Sequence, residues 1–244
     1  FANYNWFGRP QWTEPCGVVD SLMLAQDLFG ETGERSWLRL ANRIFFNGLL
    51  SGQRENGGFG CDSCVTRDGR QPLLEAHKGA YEAYWCCSMR GAEGLMAAAH
   101  GGAFEREGEI VLALRGAGRY SLEQAEVQIR GDFPWEEKVE IAFTGVRAPF
   151  MLRVLLPQGV QACDWPEGAR REENDLLLRV ARDGAVSLAL EMPVRREALP
   201  GGGHTLWRGD LLLGGGDEAT AQPVALRQHW AREALERRPL RLIF

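Results

Sequence analysis

Glu14-Pro15-Cys16 and the adjacent pair Cys86-Cys87 are the residues whose types could do chemistry together. Three thiols and a carboxylate form the donor set of a tetrahedral zinc shell, and a bound divalent cation holds thiols as thiolates at neutral pH. A thiolate held in this way is also a nucleophile. The spacing sets conditions on the backbone. A residue before proline is pushed out of the α region, so Glu14 can stand just ahead of a helix with Cys16 in its first turn, both facing one point. Thr13 or Glu14 serves as the cap and Pro15 suits the helix start. Cys86 and Cys87 lie about 100° apart on a helix, so both reach one ion only near a helix end or bend. Taken singly, each motif has a plainer reading: Cys16 as a small core residue, Glu14 as a cap, and Cys86-Cys87 as two half-buried thiols.

Five of the six cysteines fall in the first 90 residues. That clustering favours a local metal site over a dense disulfide framework, with disulfides or unpaired buried thiols as the alternatives. Cys61-Asp62-Ser63-Cys64 could join Cys86-Cys87 in a purely structural four-cysteine shell. No βαβ pattern surrounds this CxxC, which disfavours thioredoxin-like redox chemistry. Cys163 reads as an inert thiol. His77 either lines a pocket or sits hydrogen-bonded at the surface. Trp6, Trp12, Tyr81, Tyr84 and Trp85 are either stacking platforms for a sugar ring or ordinary core. Gly57-Gly58-Phe59-Gly60 is not a phosphate loop, because no Lys-Ser/Thr follows and no strand precedes it.

The elements that must position these groups fall into two regions. Over residues 1–103 the pattern is helical. Val18, Leu22, Ala25 and Leu28/Phe29 mark one helix, with Gly30 expected at its C-cap. Trp37, Leu40, Ala41, Ile44, Phe45 and Leu49 mark a second, closed by Gly52. Trp85, Met89, Ala92, Leu95, Met96 and Ala99 mark a third, stopping at Gly101-Gly102. Over residues 104–244 short alternating segments, among them Glu109–Arg115, Lys138–Phe143, Phe150–Leu156 and Asp175–Val180, predict an antiparallel β-sandwich. Thr205–Leu213 reads as one further strand, His229–Arg237 as a short helix and Leu240–Phe244 as a closing strand. The predicted fold class is therefore α+β in two domains.

The chain has 244 residues, 45% of them hydrophobic, enough for an ordinary core. A formal net charge of −5 argues against general affinity for nucleic acid or anionic membrane. No apolar run approaches the roughly 20 residues of a membrane span, and no signal peptide is visible. The expected location is cytoplasmic.

At this point a resemblance enters. Glu-x-Cys opening one helix, Asn47-Gly48 in the next, and then Cys86-Cys87 look like the zinc-cysteine β-L-arabinofuranosidases among the glycoside hydrolases. Asp132-Phe133-Pro134-Trp135 with the later Phe150-Met151-Leu152-Arg153-Val154 and Pro157 is similar to the start of that family's β-sandwich. The resemblance implies that residues 1–103 are part of an (α/α) barrel, that Glu14, Cys16, Cys86 and Cys87 ligate Zn2+, and that Cys86 is the nucleophile of a retaining hydrolysis. A carbohydrate is then the substrate, with Trp12, Tyr84 and His77 as the candidate contacts. In the family the acid/base carboxylate lies upstream of Glu-x-Cys, whereas residues 1–13 hold no Asp or Glu. The chain therefore resembles the C-terminal part of such an enzyme, its barrel completed by other residues, a homo-oligomer or a partner chain. The competing reading is a non-catalytic, zinc-stapled module that binds carbohydrate or protein; a thiol redox or zinc-storage protein ranks third.

Overall fold

The computed structural model describes residues 15–53, 58–59, 86–161, 164–198, 204–214 and 222–223. Glu14, Trp12, His77, Tyr84, Cys61, Cys64 and Cys163 lie outside the described residues, as do the other aromatic candidates Trp6, Tyr81 and Trp85 and the two elements expected after residue 224. The described chain is mixed α+β. It divides into two units, one reaching to Ala97 and taking in the residues from Leu212, the other running from Ala98 to Leu211.

In the first unit, α1 (Pro15–Thr32) buries Val18, Val19, Leu22, Ala25 and Phe29, the three- and four-residue spacing of one helix face. Gly30 does not cap it. The helix runs on to Thr32, and Gly33 ends it with a φ of +70° that lets its N–H bond the Phe29 carbonyl at 2.8 Å. Gly30 is exposed in the helix body. Next, α2 (Arg35–Ile44) passes into a π-helical turn (Phe45–Leu49) and a last turn, α3 (Leu50–Gly52). The π turn inserts a residue, which places Phe45, Phe46, Leu49 and Leu50 all in the core. Leu40, expected inward, is exposed; Leu38 takes that place.

The final helix, α4 (Cys86–His100), corrects the expected face. Met89 is 73% exposed and Ala92 is exposed, while the buried stripe is Cys87, Gly91, Gly94 and Ala98. Small residues let neighbours approach closely. A Cβ on Gly94 would stand 2.6 Å from Val19 Cγ2 and 3.1 Å from Leu49 Cδ1. Hydrophobic periodicity missed this face because the buried residues carry almost no side chain. Gln26 Nε2 donates to the Ala97 carbonyl at 3.0 Å, tying α1 to α4.

The second unit carries two main sheets. One has the strand order β1 (Ala103–Arg106), β2 (Glu109–Leu112), β6 (Phe150–Leu155), β8 (Asp175–Val180), β7 (Arg170–Glu172). The other runs β3 (Gly118–Ser121), β4 (Glu126–Arg130), β5 (Lys138–Thr144), β9 (Gly184–Ala189). The strand pairs of these sheets are antiparallel except β2 with β6, which is parallel, so the expected purely antiparallel arrangement is corrected there. The reason is connectivity: β3, β4 and β5 build the other sheet between β2 and β6, and such a long crossover permits a parallel return. Each sheet has an apolar face, Val127, Ile129, Val139, Ile141 and Phe143 on one and Ile110, Leu112, Phe150, Leu152 and Val154 on the other. Phe143 and Phe150 meet edge-on with centroids 5.9 Å apart.

Arg153 on β6 is buried and bonds Glu109 (2.9 Å), Glu172 (3.0 Å) and Asp175 (3.1 Å). The predicted strand Thr205–Leu213 is two strands. The turn at Gly209, φ +58°, separates β11 (His204–Arg208) from β12 (Leu211–Gly214). Strand β10 (Val194–Ala198) pairs with β11, and β12 pairs with β13 (Gln222–Pro223).

Candidate metal centre and active site

Pro15 opens α1, where its missing N–H costs no helical hydrogen bond, and this sets Cys16 in the first turn. Cys86 and Cys87 are the first two residues of α4. α1 and α4 thus bring the sulfurs together. Cys16 Sγ lies 3.7 Å from Cys86 Sγ and 3.6 Å from Cys87 Sγ, and all three sulfurs lie within 4.8 Å of one another. The separations are far beyond the roughly 2.05 Å of a disulfide. They match a metal shell instead, since thiolates about 2.3 Å from a tetrahedral zinc stand about 3.8 Å apart. The donor set therefore fits a soft divalent cation.

The three thiols differ in access. Cys87 is fully buried, Cys16 half-buried and Cys86 exposed. A vicinal pair on one helix start has to diverge, and here one member turns into the α1–α4 interface while the other turns out. Cys86 is thus the thiol of the three that a ligand from solvent can reach most directly.

Contacts that the motifs did not signal hold this arrangement. Asp20 lies four residues after Cys16 and Arg90 four after Cys86, so each sits one turn along from a thiol on its own helix. The Arg90 guanidinium bonds both the Asp20 and Glu93 carboxylates, linking α1 to α4. Opposite charges at equal offsets from the two cysteine motifs were the available signal for this bridge. On α4, the Ser88 hydroxyl donates to the Phe59 carbonyl at 2.7 Å and accepts from the Phe59 amide at 3.3 Å. Phe59 also forms a β-bridge with Gln53. Asn47, in the π turn, donates to the Arg43 carbonyl at 2.9 Å, and its Oδ1 accepts the Leu212 amide at 2.7 Å. Nothing local in the sequence signals that last bond, which spans 165 residues.

The structure therefore brings Cys16, Cys86 and Cys87 together; Glu14, Trp12, His77 and Tyr84 lie outside the described residues. A cavity of about 470 Å³ lined by Arg130, Lys138, Glu140 and Ser187 among others belongs to the second unit, and no described cysteine lines it. Among the described residues no helix is long and apolar enough to cross a membrane.

In fold the chain is built like a glycoside hydrolase. A β-L-arabinofuranosidase from Geobacillus stearothermophilus T6 superposes over 83% of this chain with a TM-score of 0.59 at 16% identity. A second glycoside hydrolase gives 0.63 at 14% identity, and a GH127 β-arabinofuranosidase 0.60 at 14%, each again over 83% of the chain. The chain spans 36–37% of the length of these proteins. No curated protein matches it. Residues 2–100 match the family described as "Beta-L-arabinofuranosidase, GH127 catalytic domain", and over that stretch the chain is similar to it.

Proposed function

We propose that this chain carries the metal shell and nucleophile of a retaining glycoside hydrolase of the β-L-arabinofuranosidase type. The observation that carries the reading is the set of sulfur separations, 3.6 and 3.7 Å, between two helices with one sulfur exposed. In this reading α1 to α4 are a segment of an (α/α) barrel and the two sheets are a β-sandwich. The likeness in fold to the three solved hydrolases supports both assignments.

Cys16, Cys86 and Cys87 hold the ion, with Glu14, one residue before α1, as the fourth ligand. Bound zinc supplies a fixed electropositive point that keeps the thiols ionised. Cys86 Sγ attacks the anomeric carbon of the sugar; the C–S bond forms as the bond to the leaving oxygen breaks. A carboxylic acid protonates that oxygen. Water then displaces the sulfur, its proton passing to the same carboxylate and the electron pair returning to Cys86. Two displacements on one carbon give net retention. Cys87 and Cys16 fix the geometry, and the buried position of Cys87 keeps water from its side of the cluster. The substrate on this reading is a furanoside, with Trp12, Tyr84 and His77 as its proposed contacts.

The test measures metal content and turnover of an aryl β-L-arabinofuranoside by the intact protein. One zinc per chain is expected, lost in Cys16→Ala and Cys87→Ala. Hydrolysis should vanish in Cys86→Ala and persist in Cys61→Ala. Zinc lost in Cys61→Ala or Cys64→Ala would overturn the ligand assignment in favour of a structural four-cysteine site. Full zinc occupancy without furanoside turnover would favour the non-catalytic module.

A further inference from the structure

We infer that Ser88 is a positioning residue for the thiol cluster, acting by clamping the segment at Phe59 to the first turn of α4. The inference rests on the metal-shell reading above. Ser88 follows Cys87 directly, and its single hydroxyl engages both backbone polar groups of Phe59, donating to the carbonyl (2.7 Å) and accepting from the amide (3.3 Å). A serine in a first helical turn more commonly bonds its own backbone. Here it reaches 29 residues back along the chain.

Phe59 is held from two further directions. Its backbone bridges Gln53 at the end of α3, and its ring, only 2% exposed, lies against Gly91 so closely that a Cβ there would stand 2.1 Å from Cδ2. Gly91 is one turn along α4 from Cys87, on the same face. The Ser88–Phe59 pair therefore fastens the start of α4 to the end of the second helical segment, independently of the Arg90–Asp20 bridge to α1. Both vicinal thiols sit beside this clamp, Cys87 next to Ser88 in the chain. Without it, their segment of α4 loses its tie to Phe59 and the sulfur separations are no longer set.

Groups that orient metal ligands from behind typically contribute about 10–100-fold to metal affinity. The test uses the 244-residue chain loaded with Co2+, whose d–d and sulfur-to-metal bands report ligand number and geometry, alongside zinc affinity by chelator competition. Ser88→Val, which keeps the shape of threonine without the hydroxyl, should bind about 10–100-fold more weakly with altered d–d bands. Ser88→Thr should restore both. Gln26→Ala, which removes an α1–α4 hydrogen bond away from the clamp, should lower thermal stability but leave the spectrum unchanged. Wild-type affinity and spectrum in a folded Ser88→Val would overturn the inference.

A metal-free arm separates this failure from failure of the zinc reading. A short bifunctional thiol reagent, its products mapped by mass spectrometry, should bridge Cys16 and Cys86 rapidly in wild type and Ser88→Thr and several-fold more slowly in Ser88→Val. If the parent chain binds neither Co2+ nor Zn2+, the metal reading falls and this arm alone decides the role of Ser88. Equal bridging rates in all three would then overturn it.

Discussion

Adding one methyl group at Gly91 should change sign in its effect on stability depending on whether Phe59 is present. The added Cβ would stand 2.1 and 2.2 Å from two carbons of the Phe59 ring. Carbon atoms in good contact are about 3.5–4.0 Å apart, so one side must yield by roughly 1.5 Å. The ring is not free to yield, because Ser88 holds the Phe59 backbone at both its amide and its carbonyl. Overpacking of a fixed neighbour costs about 1–3 kcal/mol, and a site this tight belongs at the upper end. Alanine returns about 1 kcal/mol through its better helix propensity. Gly91→Ala alone should therefore destabilise by about 2 kcal/mol, a fall in Tm of about 4–8 °C for a chain of this size. Phe59→Ala alone should cost about 3–5 kcal/mol as a buried-aromatic truncation. In the Phe59→Ala background the clash is gone and only the propensity gain remains, so Gly91→Ala should stabilise by about 1 kcal/mol. The coupling across the cycle is then about 3 kcal/mol. Urea unfolding followed by the helix signal at 222 nm measures all four corners. Equal effects of Gly91→Ala in the two backgrounds would refute the packing argument and with it the account of why α4 buries glycines.

Three other outcomes follow from named contacts. Iodoacetamide should modify exposed Cys86 before buried Cys87 in the metal-free chain, and added zinc should slow the reaction; peptide mapping that finds Cys87 alkylated first would contradict the exposure order. Arg153→Met should destabilise the β unit by about 3–5 kcal/mol, because it strands the Asp175 carboxylate, 1% exposed, without its cation; denaturant unfolding checks it, and a loss under about 1 kcal/mol would count against the network. The backbone amides of Val146 and Gly145 hold the Asp183 carboxyl below its ordinary range. Its stabilising effect is therefore present above the unfolded carboxyl pKa of about 3.9 and is lost as pH falls through the lower folded value. Wild type should melt above Asp183→Asn at pH 7, with the gap closing in acid; a gap that widens below pH 4 would reverse the assigned sign.

How much of this was legible beforehand depends on the kind of signal. The β5 segment was visible because its side chains alternate inward and outward at period two, and β2, β6 and β8 because each is a short apolar run buried at successive positions. Gly30 was misread as a stop because glycine is also tolerated inside an exposed helix, whereas Gly33 terminates α1 through a positive φ that no sequence pattern distinguishes. The core face of α4 was invisible to hydrophobic periodicity, since Cys87, Gly91, Gly94 and Ala98 contribute closeness rather than side-chain bulk. The π turn at Phe45–Leu49, and the burial of Leu38 in place of Leu40 ahead of it, had no signal in the hydrophobic spacing.

By itself the sequence determined which groups are present: three cysteine thiols in two segments and an acidic residue beside one of them. Only the tertiary structure decided that Cys16, 70 residues from Cys86, stands within 3.7 Å of both vicinal sulfurs, and which of those two faces solvent. The physical reason is that residue type is a local property of the chain, whereas separation between sulfurs depends on how closely two helices approach. That approach is set by two glycines, a clamping serine and one ion pair, none of which carries metal chemistry of its own.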